Sequence, residues 1–145
     1  YSRIRRTVAH PSMLLFDAPS REVCTVRRSS TNTPLQALAL MNEVTYVEAS
    51  KKFAEKIMNY STDSRGRIEW AFRSATSRAP EKDELEILVN GYERRLAMFN
   101  ANPDSAKKLL GQGESFVNPA FNKVELAALV TVANVILNLD ELINK

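Results

Sequence analysis

Cys24 and His10 are the single cysteine and the single histidine of the chain, and their side chains are the ones best suited to covalent chemistry. A thiol and an imidazole form a nucleophile–base pair when a third group orients the imidazole. No motif surrounds either residue, and no orienting partner for His10 can be identified. The sequence therefore favours a structural role for Cys24. We predict no catalytic residue, and a lone Cys and His exclude Cys-based or His-only metal sites within one chain.

A carboxylate among arginines is the second candidate site. Asp17 precedes Arg21, Arg27 and Arg28, and a carboxylate beside guanidinium groups stays ionised and accepts bidentate hydrogen bonds. One interpretation is a contact site for an acidic or sugar ligand or for another domain, with Asn32 at its end. The favoured interpretation is an ion-pair network that holds this segment on the helices, with Asn32 as a turn residue.

Positive charge is concentrated at the start of the chain. Residues 1–28 carry six arginines and two acidic residues, a local charge of +4, whereas the whole chain carries +3. Arg3, Arg5 and Arg6 form a basic arm that could contact phosphates. Nucleic-acid interfaces usually combine a larger basic patch with a recognised reading element. Weak nucleic-acid binding through the arm is therefore retained only as a minor alternative.

The chain of 145 residues is long enough for one domain with its own core. Residues 1–32 have no sustained helical period, and the residues before Pro11 and Pro19 disfavour helix. We predict a basic irregular arm over 1–32, packed on a helical bundle over 33–145. Because the chain begins at Tyr1 rather than Met, we also expect it to be a fragment of a larger protein.

Helix signals recur after residue 32. Thr33 as N-cap, Pro34 at the first helical position and Gln36 in a capping box predict a helix start, and Asn42 marks a possible break. Further helices are predicted over about 65–76, from Pro80 through residue 99, over 103–110 and over 123–137. The fold class is all-α, an irregular bundle of about five helices. The apolar last segment should lie at its centre and is too short to span a bilayer.

The positions of the apolar residues predict which side chains form the core. A stripe at helical spacing occupies Leu85, Leu88, Tyr92, Leu96 and Phe99. We also expect Phe116 and Phe121 to point inward from the loop before the last helix, and Met13, Met41, Met58 and Met98 to occupy core positions. Gly91 within a helix costs about 1 kcal/mol relative to Ala, which suggests a close packing contact there.

Several segments together resemble one known family. They are the block 12–22, then Thr31-Asn32-Thr33-Pro34-Leu35-Gln36-Ala37-Leu38, then Ser77-Arg78-Ala79-Pro80, and the closing stretch 132–141. The chain resembles, over nearly its whole length, a planctomycete-specific domain of unknown function. That domain is found at the C-terminal end of large exported proteins, which often carry a planctomycete-type cytochrome c domain near the N-terminus.

The resemblance implies a periplasmic or cell-surface location, haem c elsewhere in the parent chain, and no catalytic residue for this part. The chain itself has no Cys-x-x-Cys-His, so we expect no covalent haem within it. We expect a non-catalytic structural or interaction module that docks onto other domains of its own protein. The alternative is an accessory substrate- or ligand-binding domain of an exported redox or carbohydrate-processing enzyme.

Overall fold

The computed structural model describes residues 34–143, and over this range the chain is all-α with no strand. The predicted fold class is confirmed. The helices of this range, in chain order, are α1 Pro34–Asn42, α2 Val44–Tyr60, α3 Ser64–Thr76, α4 Lys82–Ala101, α5 Pro103–Leu110, α6 Lys123–Leu137 and α7 Asp140–Ile143. The break at residue 43 and the four-residue helix α7 account for the helices beyond the predicted number of about five. The arm at 1–32 and the N-cap Thr33 lie outside the described residues.

The predicted break at Asn42 separates α1 from α2. Glu43 takes an extended conformation with φ −70° and ψ 132°, and the amide of Asn42 donates to the carbonyl of Leu38 at 2.8 Å. The side chain therefore supports the last turn of α1 while the backbone changes direction. A polar residue followed by β-branched Val44 was sufficient to indicate this break.

Side-chain caps fix three of the other helix starts. Asp63 accepts from the Gly66 amide at 2.7 Å to open α3. Asn102 and Asn122 cap α5 and α6, as the sequence predicted. Such caps are worth about 1 kcal/mol each because they satisfy amides that have no intrahelical partner. The predicted start of α4 at Pro80 is wrong by two residues, since α4 begins at Lys82.

Helix α6 lies at the centre of the bundle, as predicted. It packs against α2, α3, α4 and α5, and eight of its positions are buried, namely Leu126, Ala127, Ala128, Leu129, Val130, Val132, Ala133 and Ile136. The predicted stripe on α4 also faces this core, with Leu96 half buried and its other four members buried. No helix within 34–143 is long and apolar enough to cross a membrane.

Three predicted core positions are wrong. Met41, Met98 and Phe116 are exposed, and Phe121 is half buried. Met98 precedes the buried Phe99, so it lies about 100° around α4 from the core-facing stripe. Met41 lies near the end of α1, whose main packing partner within 34–143 is α2. Apolar type was therefore a poor guide to burial at the edges of the bundle.

Candidate functional site

The site residues predicted from sequence stay untested by the structure. Asp17, Arg21, Arg27, Arg28 and Asn32 lie outside the described residues. The same holds for the arginines of the arm, Arg3, Arg5 and Arg6, and for His10 and Cys24. Within 34–143, no group of three His, Cys, Asp or Glu side chains could hold a metal ion.

The best-defined polar arrangement in 34–143 joins α2 to residues 111–119, which we call the clamped loop. Four charged side chains of α2 reach it, at positions 48, 51, 52 and 55. This spacing places all four on one side of the helix. Each of them hydrogen-bonds the backbone of the loop, so the loop's path is set by side chains more than 55 residues away in sequence.

Lys51 is the centre of this arrangement. Its side chain is fully buried, with 0% exposure, and its ammonium donates to the carbonyls of Leu110 at 3.2 Å, Gln112, and Ser115 at 3.3 Å. An ammonium group has three N–H donors, so its capacity is filled. Burial lowers the pKa of Lys51, while the nearby charge of Glu48 opposes that shift. The contact with Leu110 also places a cation at the C-terminal end of α5, where the helix dipole favours it.

Glu48 holds the adjacent turn of the clamped loop. Its carboxylate accepts from the backbone amides of Ser115 at 2.7 Å and Glu114, and these bonds lower the pKa of Glu48. Gly113 lies directly against this carboxylate with φ of 75°. A Cβ there would come within 2.4 Å of a Glu48 oxygen, so both the backbone conformation and the close approach require glycine.

Lys52 and Glu55 hold the second half of the clamped loop. Lys52 donates to the carbonyl of Phe116 and forms a 2.9 Å ion pair with Glu55. Glu55 in turn accepts from the Asn118 amide at 3.1 Å. The backbone on both sides of Phe116 is therefore fixed, yet the Phe116 side chain is 92% exposed.

A cleft of about 370 Å³ lies beside Phe116. Its lining includes the apolar residues Leu110, Val117 and Pro119 and the basic residues Lys107 and Lys123. The clamped loop thus presents one large aromatic side chain at the edge of a partly apolar cleft with two lysines.

Arg78 forms a second charged cluster, which joins the turn between α3 and α4 to α7. Its guanidinium contacts both carboxylate oxygens of Glu84, at 2.7 and 2.8 Å, and both of Glu141, at 3.0 Å. It also lies over the Phe72 ring, 4.7 Å from its centroid. Arg78 lowers the pKa of Glu84 to about 2. Glu84 is therefore part of a structural ion-pair cluster.

The clamped loop was missed at the sequence level. The sequence carries two lysines flanked by two glutamates on one side of α2, at positions 48, 51, 52 and 55, and two glycines, Gly111 and Gly113, in the distant loop. Charged faces of this kind are usually solvated, and a buried lysine has no distinctive sequence pattern. Only the packing of both α2 and α5 against α6 brings these residues together.

Comparison with known families agrees with the resemblance at its coarser level. The family PSD1, described as a protein of unknown function (DUF1553), matches residues 1–92. The match covers more than half of the chain, and the chain belongs to this family. Neither the curated proteins nor the solved structures contain a match to it. Membership in a family of unknown function supplies no activity, so the function is argued from the site.

Proposed function

We propose that this chain is a non-catalytic interaction module that docks onto another domain of a larger protein through the clamped loop. The observation that carries the proposal is the 92% exposure of Phe116 on a loop whose backbone is held by four charged side chains. On a flexible loop, an exposed apolar side chain would not by itself indicate a binding contact. In a fixed loop, it is a preorganised contact.

The energetic argument concerns conformational entropy. Ordering a loop on binding costs about 1–2 kcal/mol per residue fixed, and this cost subtracts from the affinity. Lys51 and Glu48 have already ordered the loop in the free chain. Burial of Phe116 in a partner would then contribute most of its hydrophobic free energy to binding, as the central anchors of interfaces do.

The cleft beside Phe116 indicates the chemistry of the partner surface. An apolar pocket would accept the ring, and carboxylates around that pocket would face Lys107 and Lys123, which border the cleft. We propose that this surface belongs to another domain of the same exported protein, with haem c, where present, carried by a separate domain. The location and the haem domain are expectations from the family resemblance.

Calorimetric titration of this chain with the remaining domains of its full-length protein tests the proposal. We expect Phe116→Ala to weaken binding by about 2 kcal/mol or more, the range of an interface anchor. Leu38→Ala is the matched control, because Leu38 is another exposed apolar residue and does not line the cleft beside Phe116. Equal binding by the wild type and Phe116→Ala, or no binding by the wild type, would contradict the proposal.

A further inference from the structure

The outer face of α4 carries an unusual combination of residues. Ile87 is 71% exposed, and Gly91 follows it one turn later on the same side of the helix. Both line a shallow apolar cleft of about 220 Å³ between α4 and α6, together with Arg95 and the 45%-exposed Val135. Leu88 of the core-facing stripe forms the inner edge of this cleft, and Ile87 lies farther around the helix, away from the core.

Gly91 has no explanation within the described part of the chain. It lies in the middle of a helix of 20 residues. At such a position glycine destabilises the helix more than any residue except proline. A Cβ built at Gly91 would meet no atom within 4 Å. The close packing contact expected from the sequence is therefore not made among residues 34–143. A glycine in open space next to an exposed isoleucine leaves room for a side chain from outside the chain.

The charges of α4 identify which molecule could supply that side chain. Acidic residues occupy its first turn, including Asp83, and Arg94 and Arg95 lie in its second half. Neither Asp83 nor Arg95 takes part in an ion pair within 34–143. Arg95 donates only to the sulfur of Met98 there, at 4.0 Å. Suppose that Ile87 lies opposite Gly91 of a second, antiparallel α4. Asp83 then lies opposite Arg95 of that copy, because Asp83 is four residues before Ile87 and Arg95 is four residues after Gly91. Shape and charge therefore match in one register.

We propose that two copies of this chain associate through antiparallel α4 helices, with each Ile87 packed over Gly91 of the other copy and each Asp83 paired with Arg95. The contact is isologous, so every interaction occurs twice around a two-fold axis. Val135 and the apolar cleft extend the same surface. This self-complementarity favours a second copy over an unrelated helix, which would have no reason to reproduce the register.

Sedimentation equilibrium of the wild-type chain and two charge-reversed variants tests the proposal. Asp83→Arg alone and Arg95→Asp alone each place like charges opposite each other twice, so we expect each to raise the dimer dissociation constant about tenfold or more. An equimolar mixture restores both pairs as Asp–Arg contacts in a heterodimer. We expect the mixture to associate with an affinity near that of the wild type.

Additional variants separate this contact from docking through the clamped loop. Ile87→Glu should abolish dimerisation, with circular dichroism confirming that the exposed substitution leaves the helices intact. Phe116→Ala should leave dimerisation unchanged, because Phe116 lies on the clamped loop. A wild-type chain that stays monomeric up to about 100 µM, or a mixture no tighter than either charge-reversed variant alone, would overturn the proposal.

Discussion

At the scale of single residues, Lys51 shows how a buried charge can be accommodated. Removing an ammonium group from water is costly unless its donors are all satisfied. Here three backbone carbonyls accept from it, and Glu48 lies nearby. Without Lys51, these carbonyls at the end of α5 and in the clamped loop would lose this hydrogen-bond donor. The charge is thus used to organise backbone rather than to perform chemistry.

We predict that Lys51→Met destabilises the folded chain by about 2 kcal/mol or more, because three acceptors lose a charged donor. Urea denaturation followed by circular dichroism measures this difference. Lys52→Met is the matched control, since Lys52 lies on the same helix with its side chain half exposed, and we expect a loss under about 1 kcal/mol. If both variants lost a similar free energy of unfolding, the buried hydrogen bonds of Lys51 would contribute no more to stability than the exposed ones of Lys52.

The cluster around Arg78 predicts a dependence of stability on acid. Arg78 lowers the pKa of Glu84 from its ordinary value of 4.5 to about 2 in the folded chain. As the pH falls, the unfolded chain takes up this proton first. The stabilisation by the Arg78–Glu84 pair is therefore fully present above pH 4.5 and is lost between about pH 4.5 and 2.

The measurement compares the wild type with Glu84→Gln by urea denaturation at a series of pH values. The free energy of unfolding of the wild type should exceed that of the variant at pH 6. We expect the difference to shrink as the pH falls toward 2. A difference that stays constant over this range would mean that Glu84 titrates normally in the folded chain.

At the scale of elements, local chemistry predicted the helices and long-range packing determined the rest. Asn42, Asn102 and Asn122 marked helix ends because capping depends on residues within one turn. The exposure of Phe116 depended on side chains of α2, about 60 residues earlier. No local pattern carries that information. The candidate site could therefore not be derived from the sequence, although the fold class could.

Replacing two of the glycines by alanine should change the stability of the chain in opposite directions. Gly113→Ala should destabilise the chain by about 1–3 kcal/mol, because φ is 75° and the new methyl meets Glu48. Gly91→Ala meets no atom of the chain and should stabilise it by about 0.5–1 kcal/mol in dilute solution, where any dimer is dissociated. Thermal or urea denaturation of both variants checks the pair. Destabilisation by Gly91→Ala in the monomer would contradict the described geometry of α4.

At the scale of the whole molecule, the family match and the core do not coincide. The match to DUF1553 ends at residue 92, within α4. The central helix α6 and the clamped loop both follow that point. The matched helices α2, α3 and part of α4 nevertheless bury their apolar faces against α6. The matched region and the remainder of the chain therefore form one packed unit over 34–143.

The two proposed contacts have different central residues. Docking is centred on Phe116 and the cleft beside it, whereas the dimer contact is centred on Ile87 and Gly91 of α4. The edges of the two contacts approach each other, since Gln112 of the clamped loop lines a further cleft with Arg95 and Val135. Loss of one contact should leave the other intact. Docking of another domain and self-association are thus separable by single substitutions.

Hydrogen–deuterium exchange tests the docking proposal most directly, by comparing this chain alone with the same chain inside its full-length protein. The account predicts slower exchange in a peptide that covers residues 111–119 when the other domains are present, and loss of that protection in Phe116→Ala. Unchanged exchange in this peptide in the full-length protein would contradict docking through the clamped loop.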